Sequence, residues 1–135
     1  MSPGICDVSV TNHCNATCDF CAFAHDKGLV KDHRFIDREA FVRALPILRR
    51  RGIDYLNLQG GEPLLHPQIA DLVAAASNAD MKVGLITNGW QLPQKIDALL
   101  AAGLGTLLVS IDSHSLALHE KNRGLKGVGN RIREA

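Results

Sequence analysis

At 135 residues with 46% apolar content, the chain has the length of one domain and ample material for a core. A formal charge of +1 and 4% aromatic residues supply neither the basic field nor the stacking rings of a nucleic-acid binder. No stretch approaches the roughly 18 apolar residues of a membrane span. The start, Met1-Ser2-Pro3-Gly4-Ile5, lacks the charged and then apolar run of a leader, so a cytoplasmic globular protein is expected.

Ile5 to Val10 alternates as a strand, with Cys6, Val8 and Val10 on one face and Asp7, Ser9 and Thr11 on the other. Cys6 reads as a buried apolar residue. The run from Thr11 to Cys21 follows, and then a polar stretch carrying His25 and His33, which read as bystanders. Asp37 is placed to cap a helix running to Arg51 through Phe41, Ala44, Leu45 and Leu48, with Gly52 as its stop. Pro46 inside it predicts a kink or a split. Arg49, Arg50 and Arg51 suit the helix C-terminus and read as a solvated face.

Ile53 to Leu58 is the second strand, ending in Gly60-Gly61. A helix opened by Pro67, with His66 serving its start, carries the stripe Ile69, Leu72, Val73 and Ala76. Lys82 to Thr87 is the third strand. Pro93 opens a further helix with Ile96, Leu99 and Leu100 on its inner face, Gly103 ends it, and Thr106 to Ile111 is the fourth strand. Asn130 to Ala135 reads as the opening of another helix. Strands and helices in alternation predict βαβ units and a parallel sheet.

Polar and glycine-rich motifs fall just after each strand, and the C-terminal strand ends of a parallel α/β fold share one face. The sequence therefore predicts that distant segments converge on one site. The first motif holds Cys14, Cys18 and Cys21, three thiols in one short loop. A 4Fe-4S cube held by three cysteines keeps one iron without a protein ligand and open to a small molecule. Two disulfides fit this spacing poorly, and a reducing compartment with thiolate ligation fits it better. A zinc site completed by Cys6, His13 or His25 is the remaining alternative.

The Cys-x-x-x-Cys-x-x-Cys loop with Phe20 before its last cysteine resembles that of the radical S-adenosylmethionine (radical SAM) enzymes. Gly60-Gly61-Glu62-Pro63, Thr87-Asn88-Gly89, Ser110-Ile111-Asp112 and Asn122-Arg123-Gly124 follow in the family's order. The resemblance implies an α/β fold, a partial parallel (β/α) barrel of which about four βα units are present. It implies a 4Fe-4S cluster on Cys14, Cys18 and Cys21, S-adenosylmethionine (SAM) chelated to the open iron, and an electron donor such as flavodoxin or ferredoxin. Reductive cleavage of SAM then yields a 5′-deoxyadenosyl radical that activates a substrate.

By the same resemblance, Gly60, Gly61 and Glu62 offer acceptors, chiefly backbone ones, to the methionine amino group of SAM. Ser110 and Asp112 face its ribose, with a strand-end cap as the competing role. Asn88 faces the methionine moiety or simply makes a turn, and Arg123 approaches the SAM carboxylate or is solvated. Phe20 packs near the adenine, shields the cluster or belongs to the core. The resemblance also implies a longer barrel, so a C-terminally truncated chain and an exposed fourth strand are expected. A non-catalytic iron-sulfur or electron-transfer module and a zinc-stabilised interaction domain are the rival readings.

Overall fold

Alternation of apolar and polar residues gives β1 (Gly4–Thr11), whose apolar set turns to one side of a four-stranded sheet. The structure, a computed structural model, describes residues 4–25 and 31–135; Met1 to Pro3 of the sequence reading lie outside it. The remaining strands are β2 (Ile53–Gly60), β3 (Lys82–Thr87) and β4 (Thr106–Val109). All three pairings are parallel and the spatial order is β1-β2-β3-β4, so every connection is a crossover between neighbours. The predicted parallel α/β architecture is observed.

Among the described residues six α-helices are present: α1 (Ala22–His25), α2 (Arg38–Arg50), α3 (Ile69–Asn78) and α4 (Leu92–Ala101) lie in the connections, and α5 (Leu116–Arg123) and α6 (Val128–Glu134) follow β4. Among the described residues none is long and apolar enough to cross a membrane. The helix-facing side of the sheet (Val10, Leu56, Leu58, Val83 and Leu85) meets Phe41 and Leu45 of α2 and the stripe Ile69, Leu72, Val73 and Ala76 of α3. Each Val, Leu, Ile or Phe among them contributes about 1.5–3 kcal/mol on burial, so this layer dominates stability. Cys6 is only half-buried, at its margin. The opposite side of the sheet carries the register pairs Asp7 with Asn57 and Ser9 with Gln59.

Four local expectations change. α2 runs without interruption through Pro46, which lies on the exposed side, where water can serve the carbonyl left without a donor. α3 begins at Ile69 rather than Pro67, because a 3-10 turn over Pro63–Leu65 intervenes. His66 still serves this region, its Nδ1 accepting from Gln68 N at 3.1 Å while its Nε2 meets Ile36 O at 2.9 Å. Leu100 is 59% exposed, because Leu99 occupies the inward position and its neighbour is turned about 100° away. β4 stops at Val109, two residues short of the predicted end; Ser110 N still donates to Thr87 O at 2.9 Å.

α1 and α5 carry no strong periodic signal, so the sequence does not predict them. α5 and α6 pack on one another and build a second, smaller core around the cysteine loop. Ala16, Cys18, Leu125 and Val128 are buried there, with Cys14, Cys21, Trp90 and Ile132 beside them.

Candidate functional site

The C-terminal strand ends meet at a cavity of about 170 Å³, lined by Cys14, Cys18 and Cys21 together with Gly60, Glu62 and Asn88. Phe20, Gly61, Ser110 and Arg123 line it as well, and so do Gln59 and Ile86, which the sequence motifs did not single out. Of the predicted site residues only Asp112 lies off its wall. The convergence expected from motif position is therefore observed for the rest.

The cysteine loop is pinned on several sides. Gly61 N donates to Thr11 O at 2.8 Å and Glu62 N to His13 O at 2.7 Å, so the end of β2 continues to pair with the loop beyond β1. A Cβ on Gly60 would strike Thr11 O, and one on Gly61 would strike His13 O; Gly60 also sits at φ +134°. The glycines are thus demanded by the chain's own backbone approaching closely. From the other side Thr11 Oγ1 donates to Arg34 O at 2.7 Å, and Asn88 Nδ2 donates to Asn15 Oδ1 at 2.8 Å. Thr17 N donates to Arg123 O at 2.9 Å, and Gly124, in the left-handed region at φ +63°, seats its backbone against Thr17.

Glu62 is 1% exposed, and its carboxylate faces into the protein. Oε1 accepts from Leu64 N at 3.0 Å and Thr87 Oγ1 at 2.6 Å, and Oε2 accepts from Asn88 N at 2.8 Å. Burial pushes its pKa up, against the opposing pull of these donors. The side chain fastens the turn after β2 to the end of β3, a role the motif did not disclose. Asn88 makes the turn the sequence allowed, its Oδ1 accepting from Trp90 N at 2.9 Å.

Phe20 is 64% exposed, which removes the core-packing alternative; the guanidinium of Arg123 sits 5.5 Å from its ring centre. Arg123 is not a solvated cation. Its Nε donates to Asp112 Oδ2 at 2.8 Å, and a second guanidinium nitrogen donates to Asp112 Oδ1. Asp112 is therefore an acceptor for arginine, which competes with its expected place at a sugar hydroxyl. His33 stacks on His13 at 3.6 Å between ring centres, while His25 lies exposed at the end of α1. Arg49, Arg50 and Arg51 are exposed, as expected of a solvated face.

Among the described residues no group of three or more His, Cys, Asp or Glu side chains is already gathered around a metal position. The donor chemistry nevertheless suits an iron-sulfur cluster. Three thiols line one cavity, and the carboxylate among its lining residues, Glu62, is engaged by Leu64 N, Thr87 Oγ1 and Asn88 N. Burial pushes the Cys14 and Cys18 thiols up, with Arg123 opposing it at Cys18, so ligation would displace protons from them.

Comparison with known proteins agrees. The family described as the Radical SAM superfamily matches residues 8–134. The chain is 30% identical over 108 residues to human molybdenum cofactor biosynthesis protein 1, covering 78% of this chain and 17% of that protein. It is 32% identical over 117 residues to the GTP 3′,8-cyclase of Paenarthrobacter nicotinovorans, covering 84% of this chain and 32% of the cyclase. Among solved structures, Streptococcus suis SuiB bound to S-adenosylmethionine superposes with a TM-score of 0.80 at 20% identity, over 98% of this chain and 30% of SuiB. The chain thus spans a third or less of the length of each of these proteins.

Proposed function

This chain is a member of the radical SAM superfamily, and we propose that it holds a 4Fe-4S cluster through Cys14, Cys18 and Cys21 and takes part in the reductive cleavage of SAM. The observation that carries the reading is the three-cysteine loop at a cavity shared with the Gly60-Gly61-Glu62 and Ser110 segments. An electron-transfer or zinc module has no need of these additional walls. When bound, the cluster and SAM supply one-electron cleavage of a carbon-sulfur bond and a 5′-deoxyadenosyl radical that takes hydrogen from substrate.

The protein's own part is placement and shielding. The backbone of Gly60 and Gly61 accepts from the SAM amino group, its path fixed by the pairing to Thr11 and His13. Glu62 holds that path from behind through Leu64, Thr87 and Asn88. Ser110 offers a hydroxyl to the ribose, Asn88 borders the methionine moiety, and Phe20 with Arg123 closes one side. Donors of Arg123 beyond those bonded to Asp112 suit the SAM carboxylate. A small reductant protein of the flavodoxin or ferredoxin type supplies the electron, and the substrate is left open by these residues.

Anaerobic reconstitution, iron and sulfide analysis and an assay for 5′-deoxyadenosine after dithionite and SAM test the reading. The expected result is four iron and four sulfide per chain with 5′-deoxyadenosine formed, all lost in Cys18→Ala. Zinc without acid-labile sulfide would reject the cluster. A cluster without 5′-deoxyadenosine would support the electron-transfer reading instead.

A further inference from the structure

Arg123 is bound to the cysteine loop by both its main chain and its side chain. Its carbonyl accepts from Thr17 N at 2.9 Å, next to Cys18, and its guanidinium lies over the ring of Phe20, next to Cys21. The cation therefore brackets the Cys18 to Cys21 limb and reaches the cavity wall, while its counter-ion Asp112 stays off that wall. Arg123 and Cys18 line the same cavity.

Asp112 is itself held. His119, 1% exposed, accepts from Asp112 N at 3.3 Å through Nδ1, and the same nitrogen stands 3.6 Å from Asp112 Oδ2. Because Nδ1 accepts from a backbone N–H, the ring hydrogen belongs on Nε2, which is buried with no partner among the described residues. The ring acts on Asp112 through its backbone N–H. It fixes the turn that presents Asp112, and Asp112 fixes Arg123.

We propose that Arg123 sets the reduction potential of the cluster, with Asp112 and His119 as the residues that position it. This rests on the cluster reading given above. A thiolate-ligated cluster gains negative charge on reduction, and net charge and hydrogen bonds at its sulfurs are among the quantities that set its potential. A cation fixed against one limb stabilises the reduced form. The effect is distinct from any contact with SAM, because it operates in the absence of SAM.

The test is potentiometric titration of the reconstituted wild-type protein, R123K, R123Q, R123M and the control K121Q, without SAM. Lys121 is exposed on the same helix and reports loss of a remote charge. R123Q and R123M are expected to lower the reduction equilibrium constant about tenfold, a negative shift of about 59 mV for one electron. R123K should retain most of the wild-type value, and K121Q all of it. Wild-type potentials in both neutral variants, or a shift in R123K as large as theirs, would overturn the proposal. If the neutral variants lose iron, whether or not R123K keeps it, the role of Arg123 is to retain the cluster rather than to tune it, and the proposal fails. Absence of a cluster in the wild type would reject the cluster reading itself and this inference with it, whereas a wild-type cluster indifferent to residue 123 rejects this inference alone.

Discussion

Glu62 accepts three hydrogen bonds from two different strand ends, and its burial opposes the charge that makes those bonds strong. Glu62→Gln places an amide where one oxygen faces Leu64 N and Thr87 and the other faces Asn88 N. One donor then opposes another. The substitution is expected to cost about 1–3 kcal/mol in urea denaturation. The pH dependence has a definite sign. The folded-state pKa of Glu62 is raised, so between the ordinary carboxylate range and that raised value the folded chain retains a proton that the unfolded chain has released. Wild-type stability relative to Glu62→Gln should fall as pH rises through that window, and denaturation curves of both proteins from pH 4 to 8 would test it. At this scale the motif identified the residue but not its task. The donors that engage the carboxylate come from positions 64, 87 and 88, and such pairings have no local signature in the sequence.

The elements that were legible are those whose signals are local. The stripe Ile69, Leu72, Val73 and Ala76 is buried as its helical spacing requires, and Asp37 caps α2, its Oδ1 accepting from Ala40 N at 2.8 Å. Asp37→Ala should therefore lower stability by about 1 kcal/mol, seen as a lower urea midpoint with the slope unchanged. Pro46 misled because its effect depends on which side of the helix it occupies, a property of packing rather than of composition. α5 has no clear signal because its apolar residues do not mark its buried side: Leu116 and Leu118 are exposed while His119 is buried. The element that carries Arg123 to the cysteine loop thus has little periodic signal of its own. Its position is specified by Thr17, Asp112 and Gly124, contacts that only the folded chain brings together.

For the whole molecule, recurrence of strand, motif and helix was enough to anticipate a parallel sheet with its motifs at one end, because each crossover obliges the next strand to run the same way. The same sheet leaves β4 as an edge. Leu107, Leu108 and Ile111 are exposed there, apolar surface beside unpaired backbone groups. Self-association through this edge is expected to rise with concentration, and Leu108→Lys should reduce it in light scattering without altering the fold by circular dichroism. The placement of three thiols beside the Gly60-Gly61-Glu62 backbone is the central feature of the molecule. Electron paramagnetic resonance of the anaerobically reconstituted, dithionite-reduced protein, recorded with and without SAM, tests it most directly. The account predicts a reduced 4Fe-4S signal whose shape changes when SAM is added. A cluster signal that SAM leaves untouched would contradict it.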